Sequence, residues 1–281
     1  MDDIQANYQT KKGGTVVPPS DFQSDTTKCA DNKAFQKNSS RPRGRSACVR
    51  THTPVKRLYV LIACEESQAE CKAFRELGHI AFSCDLQKCR KSGNPDWHIH
   101  GDVRPYLQGK TRFRTQSGKS RIVPRWDLII AHPPCTYLCK VGSMHLYKNP
   151  DSWVNTIDGR KYMNWERVMH MKMARKFFFE CLNAKAPYVA VENPLPMRIA
   201  ELPKPTCFAD PSWFGVKYTK KTLYWLKNLP SVMAEVIYNN PRCYVTSSRG
   251  KYRSRTFPQL AKAIATQWAS AIMDDYSRKV R

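Results

Sequence analysis

Trp126-Asp127-Leu128-Ile129-Ile130-Ala131-His132-Pro133-Pro134-Cys135 is the stretch on which the fold turns. Its apolar run is short and uninterrupted, the pattern of a strand buried on both faces of a parallel sheet. It passes directly into two prolines. Each proline fixes φ and removes a backbone donor, so Pro133 and Pro134 form a stiff, extended turn. That stiffness holds the Cys135 thiol at a defined position beyond the strand. A thiolate is a strong nucleophile, and suitable neighbours lower its pKa from about 8.5.

Outward from this stretch the same signature recurs. Leu58-Tyr59-Val60-Leu61-Ile62-Ala63-Cys64 is another uninterrupted apolar run. Glu65-Glu66-Ser67-Gln68 follows it, then a helical stretch through Phe74 and Leu77 that Gly78 closes. His79 to Asp85 reads as a second strand ending in a carboxylate, and Ile99-His100-Gly101-Asp102-Val103 as a shorter third. The basic stretch from Gln108 to about Pro124 reads as a loop inserted before the strand at Trp126. Asn164 to Ala184 has helical spacing, with Val168, Met171, Ala174, Phe178, Cys181 and Leu182 near one face, expected in the core. Pro187 to Val191 is a fifth strand, ended by Glu192-Asn193-Pro194. Strands alternating with helices predict a doubly wound, mostly parallel α/β sheet, in which ligands gather beyond the carboxyl ends of the strands. Those ends carry Glu65, Asp85, Asp102, Cys135 and Glu192.

Composition narrows the partners. Lys and Arg number 47 against 23 Asp and Glu, a net charge of +24, which favours a polyanion such as nucleic acid. The 11 cysteines are odd in number, and the first residues have neither a basic nor an apolar signal region, so free thiols in a reducing, cytoplasmic compartment are expected. No apolar run approaches the roughly 20 residues that span a bilayer, so no membrane partner is expected. Residues 1–54 are polar and basic and are expected to form a disordered arm. Residues 55–281 are expected to form one domain with a small recognition segment at about 203–250, where Phe208, Trp213 and Tyr224-Trp225 interleave with lysines. Those aromatics suit either base stacking or a packed cap. Cys84, Cys89, His98 and His100 are spaced more loosely than structural zinc ligands, and no metal is expected.

Ala131-His132-Pro133-Pro134-Cys135-Thr136 resembles the catalytic loop of the cytosine-C5 DNA methyltransferases, and Val191-Glu192-Asn193 resembles their Glu-Asn motif. Tyr252-Arg253-Ser254-Arg255 is similar to their paired arginines, and Phe257 to Ala265 to their C-terminal helix. From about Leu58 to Trp268 the pattern also resembles compact methyltransferase-like proteins of bacteriophages. The resemblance implies a Rossmann-like fold of the S-adenosylmethionine-dependent type, and a monomer working in the cytoplasm, that of the host cell for a phage protein. The implied partner is DNA, either duplex with a flipped base or single-stranded. In the implied mechanism Cys135 adds to C6 of cytosine and Glu192 hydrogen-bonds N3, while Arg253 and Arg255 support the loop or phosphates. Glu65, Glu66, Asp85, Asp102 and Pro133 would line the cofactor site, with Asp85 and Asp102 toward its ribose and adenine.

This chain departs from the family pattern in three places. Ala63 to Gln68 contains no glycine where the family has a Gly-rich turn. His132 and Thr136 stand where glycine and glutamine are common, and the recognition segment is short. The same scaffold could act on RNA or a free pyrimidine nucleotide, or bind DNA without catalysis.

Overall fold

The computed structural model describes residues 57–147, 163–243 and 256–280. The chain divides into two units, Met1–Val55 and Lys56–Arg281. The first unit, and with it the basic arm read from the sequence, lies outside the described residues.

In chain order the second unit runs β1 (Tyr59–Ala63), α1 (Ala69–Glu76), β2 (Ile80–Asp85), β3 (His98–His100), α2 (Arg104–Leu107), β4 (Arg112–Arg114) and β5 (Ser120–Ile122). It continues through β6 (Leu128–Ala131), α3 (Trp165–Leu182), β7 (Tyr188–Asn193), β8 (Cys207–Ala209), β9 (Tyr218–Thr219), β10 (Thr222–Lys227), β11 (Arg242–Cys243) and α4 (Pro258–Val280). The main sheet has the order β3-β2-β1-β6-β7-β10-β8. Its first five strands are parallel, and β10 runs antiparallel to both neighbours. This is the doubly wound, mostly parallel α/β sheet expected from the sequence. Strand order reverses at β1 and β6, so the crevice beyond their carboxyl ends is the topological switch point.

The uninterrupted apolar runs have a simple cause, since successive side chains enter two different cores. Leu61, Ala63, Ile129, Ala131, Val189 and Val191 face the core that includes Val168, Met171, Phe178 and Cys181 of α3. Val60, Ile62, Leu128, Ile130 and Ala190 face the opposite core with Phe74 of α1 and Ile264, Trp268 and Ile272 of α4. Asp127, 2% exposed, anchors the entry to β6. It accepts from the Tyr59 amide at 2.9 Å, Arg125 Nε at 2.7 Å and the Tyr276 hydroxyl at 2.8 Å. Among the described residues no helix is long and apolar enough to cross a membrane.

Two stretches differ from the sequence reading. The basic insertion is not a plain loop but the antiparallel hairpin β4–β5. Gly118 turns it with φ +89°, and Phe113 anchors it by stacking on Trp126 at 5.8 Å between ring centroids. The segment at about 203–250 contributes β8 and β10 to the main sheet. Tyr224 and Trp225 are 1% and 2% exposed, so they are core residues rather than base-stacking ones. Phe208 remains on the surface, with Lys221 Nζ 4.0 Å from its ring centroid.

Candidate active site

The loop after β6 begins as a continuation of the sheet, with the His132 amide donating to the Ala63 carbonyl at 2.9 Å. Pro133 is buried and Pro134 exposed. The Cys135 carbonyl then accepts from the amides of Leu138 (3.0 Å) and Cys139 (2.9 Å), so the chain turns tightly around the thiol. Cys139 precedes a 3-10 helix, Lys140–Leu146. This turn is stapled to the segment that follows β7. The Lys140 amide donates to Leu195 O and the Met197 amide to Leu138 O, both at 2.8 Å, and Cys139 bridges Pro196. From α3, Arg167 Nη2 donates to Thr136 O at 2.9 Å and its guanidinium lies over the Tyr137 ring. Gly142 leaves room for that arginine, because a Cβ there would sit 2.8 Å from Arg167 Nη2 and 2.9 Å from Thr136 O.

Within this turn the two thiols form a pair. The Cys135 thiol donates to Cys139, and this bond, then burial, then the charges of Cys139 and Glu192 raise the pKa of Cys135. Cys139 is lowered to about 6, first by the same bond and further by the amides of Gly142 and Val141, against an opposing contribution from burial. The burial of Cys135 and the amides around Cys139 thus favour the shared proton on Cys135 and the charge on Cys139. Cys139 was not singled out in the sequence, although its spacing of four from Cys135 is the signal that reveals it.

Parallel pairing of β6 with β7 brings His132 beside Glu192. His132 Nδ1 lies 3.2 Å from Glu192 Oε2, and Nε2 lies 3.0 Å from Oε2 of Glu70, in the first turn of α1. Glu70 is fully buried, and its Oε1 accepts from Thr256 Oγ1 at 3.4 Å. Burial pulls the His132 pKa down, but the Glu70 charge and the hydrogen bonds to Glu192 and Glu70 outweigh it and hold the imidazole well above its ordinary value. Glu70 also escaped the sequence reading. A carboxylate in the first turn of a helix looks like a favourable partner of the helix dipole, and only its place on the core stripe with Cys71 and Phe74 sets it apart.

The other expected residues are distributed as follows. Glu65 turns inward and caps α1, accepting from the amides of Glu70 (2.8 Å) and Cys71 (3.4 Å). Burial, followed by the charge of Glu70, raises its carboxyl to about 7. Glu66 is paired with Arg90. Asp85 ends β2, accepts from the Gln87 amide at 2.8 Å, and is pushed by burial to about 6. Asp102 is exposed and engaged by Arg104 at 3.2 Å. The turn after β1, built without glycine, places Cys64 and Gln68 at φ +61° and +59°. Arg253 and Arg255 lie outside the described residues. Cys84 and His98 are absorbed into the fold, His98 between Ser83 Oγ (2.8 Å) and Gln87 O (2.9 Å). No cluster of three His, Cys, Asp or Glu suited to a metal occurs among the described residues.

The fit to S-adenosylmethionine is uneven. Asp85 suits a ribose, since its half-buried carboxyl has a single amide donor among the described residues and a hydroxyl would relieve the cost of its burial. Asp102 keeps acceptor capacity beside Arg104. Glu65 and Glu66 do not suit the cofactor's amino group, because α1 and Arg90 already engage them.

No protein-family profile and no curated protein matches the chain. Among solved structures it is similar to an E. coli protein described as a candidate DNA modification methyltransferase encoded within a prophage. The identity is 12% and the TM-score 0.37, with 64% of this chain and 52% of that chain covered. The chain thus spans about half the length of that protein.

Proposed function

We propose that the protein is a DNA cytosine-C5 methyltransferase with Cys135 as nucleophile and Glu192 as the group that binds and protonates the base. One observation carries this reading. A rigid Pro-Pro-Cys turn and a strand-end glutamate meet at the switch point of the sheet, stapled together through Cys139–Pro196 and Lys140–Leu195.

Cys135 loses its proton to the Cys139 thiolate as it adds to C6 of cytosine. The amides of Val141 and Gly142 make Cys139 a weak enough base to return that proton later. Glu192 hydrogen-bonds N3 and stabilises the charge that develops there. Bound S-adenosylmethionine supplies the methyl group for the activated C5, with Asp85 and Asp102 as the residues that would hold its ribose and adenine. The target base must leave the stack to reach Cys135. Exposed Arg112, Arg114, Lys119 and Arg121 on the β4–β5 hairpin and Lys172 and Lys176 on α3 supply cations for the phosphate backbone.

Incubation with radiolabelled S-adenosylmethionine and mixed-sequence DNA, followed by nucleoside analysis, tests the proposal. Label is expected in 5-methylcytosine and is expected to vanish with Cys135→Ala. Label confined to RNA or nucleotides would move the substrate, and label that survives Cys135→Ala would remove the mechanism. The engagement of Glu65 and Glu66 favours, as a second reading, a scaffold that binds nucleic acid without turnover. Saturable cofactor binding with turnover excludes it.

A further inference from the structure

We infer that Glu70 and His132 form a buried proton relay that supplies the proton Glu192 donates to its substrate. The inference rests on the reading of Glu192 given above and names two residues that never touch the base. They are positioning residues that act through Glu192.

The argument starts from hydrogen-bond inventory. Both ring nitrogens of His132 face carboxyl oxygens, at 3.2 Å and 3.0 Å. A neutral imidazole has one donor and one acceptor. The two contacts can therefore both be hydrogen bonds only if the three groups share at least two protons. Either the ring is imidazolium between two carboxylates, or one carboxyl carries a proton and donates it to the ring. These two states differ by the shift of one proton along one hydrogen bond.

The surroundings favour protons over charge. Glu70 is fully buried, and its ring partner is largely so, with a side-chain exposure of 14%. An uncompensated charge there is costly. Glu65 and Asp85 face the same cluster as carboxyls from β1 and β2, Cys135 and Tyr224 face it as protonated, uncharged groups from the β6 loop and β10, and Lys220 lines the same cavity as Glu192. An added proton relieves the repulsion among the carboxyls. A third proton, on Oε1 of Glu192, makes the Glu70–His132–Glu192 set neutral. Oε1 has no partner among the described residues, so it is the oxygen free to meet a base.

The transfer balances. As Cys135 adds to C6, the electron pair displaced through the ring arrives at N3, which takes the proton from Glu192 Oε1. In the same movement the Nδ1 proton passes to Oε2. Glu192 remains a carboxylic acid, His132 becomes neutral, and Glu70 keeps the Nε2 proton in place. When Cys135 leaves, the C5 proton is released to water, its bonding pair re-forms C5=C6, and the N3, Oε2 and Cys139 protons return along the same path.

Histidine-selective 15N NMR of the full chain reads the relay directly, since His132 is one of seven imidazoles and His132→Gln assigns it. Wild-type His132 is expected to stay doubly protonated well above the ordinary range, and Glu70→Gln to lower its titration by about one pH unit or more. Turnover on cytosine DNA is expected to fall as pH rises through the His132 titration, and this alkaline limb to move down by the same amount in Glu70→Gln. In His132→Gln, kcat is expected to fall about 100-fold with KM for DNA nearly unchanged. The dispersed histidine resonances of each variant report that it has folded.

If turnover is present but the alkaline limb does not move in Glu70→Gln, the inference is overturned. If His132 titrates at its ordinary value in the wild type, it is likewise overturned, whatever the enzyme does. If cytosine is not modified at all, the functional proposal fails. The relay is then judged by the NMR titration alone, which upholds it if Glu70→Gln moves His132 and removes it otherwise.

Discussion

Glu65→Gln isolates a single proton in the crevice. The carboxyl is 5% exposed, and burial followed by the charge of Glu70 raises its pKa from 4.5 to about 7. The folded protein thus holds a proton that the unfolded chain gives up near 4.5. Stability from this group is fully present below that value and is lost as pH rises through about 7. At about 1.4 kcal/mol per pH unit, the loss is about 3 kcal/mol. Glutamine keeps an oxygen for the Glu70 amide, gives up the longer Cys71 contact to the other oxygen, and has no proton to lose. In urea unfolding between about pH 4.5 and pH 8, the stability of Glu65→Gln relative to wild type is expected to rise by about 3 kcal/mol up to pH 7 and then level off. His132 and Asp85 titrate in both proteins, so the difference reports Glu65. A difference that is constant across the series, or that grows in favour of wild type, would refute the reasoning that burial and Glu70 outweigh the two donated amides.

Other perturbations test the loop and the frame. Gly142→Ala forces a methyl against Arg167 Nη2 and Thr136 O, so a loss of about 1–3 kcal/mol is expected in thermal or urea unfolding. Turnover should drop further as the Cys135 turn shifts. With Cys139 lowered to about 6 and Cys135 raised, iodoacetamide at neutral pH should alkylate Cys139 first, as read by peptide mass mapping, and Cys139→Ser should transfer reactivity to Cys135. Asp127→Ala leaves the part-buried Tyr59 amide without its acceptor and removes the acceptor of the Tyr276 hydroxyl, which should destabilise the fold by about 3 kcal/mol in urea unfolding. Asp85→Asn should weaken S-adenosylmethionine binding about tenfold or more by calorimetry, the value of a charge-assisted hydrogen bond.

Much of the frame was legible because strands buried on both faces leave an uninterrupted apolar run whatever surrounds them. That is why β1, β6 and β7, with Cys135 and Glu192 at or just beyond their ends, could be read directly. Strand direction is not written in such a pattern. Thr222 to Lys227 has the composition of a strand, yet nothing in it announces that it runs against both β7 and β8, and its aromatics looked available for stacking. The short hairpin at Arg112–Ile122 escaped for a different reason, because it is held by distant ring contacts of Phe113 with Phe82, Tyr106 and Trp126. Glu70 escaped because its chemistry depends on a partner 62 residues away.

Two departures from the family pattern turn out to be one arrangement. The turn after β1 lacks glycine, and His132 precedes the prolines; as separate facts each weakens the comparison. In space they meet, since the turn that replaces the glycines brings Glu65 onto the amides that open α1 and sets Glu70 on the face toward β6. A histidine beside Glu192 would be half-satisfied without Glu70, and Glu70 without the histidine would be a buried carboxylate left with only the long Thr256 contact, at a cost of several kcal/mol. Each residue therefore compensates the other. Removing only one of them, as in His132→Gly with Glu70 retained, should destabilise the fold more than the double replacement His132→Gly with Glu70→Ala. A double-mutant cycle in urea measures this directly. Additive effects would mean that the loop and the histidine are independent, and that the crevice has no shared proton economy to inherit.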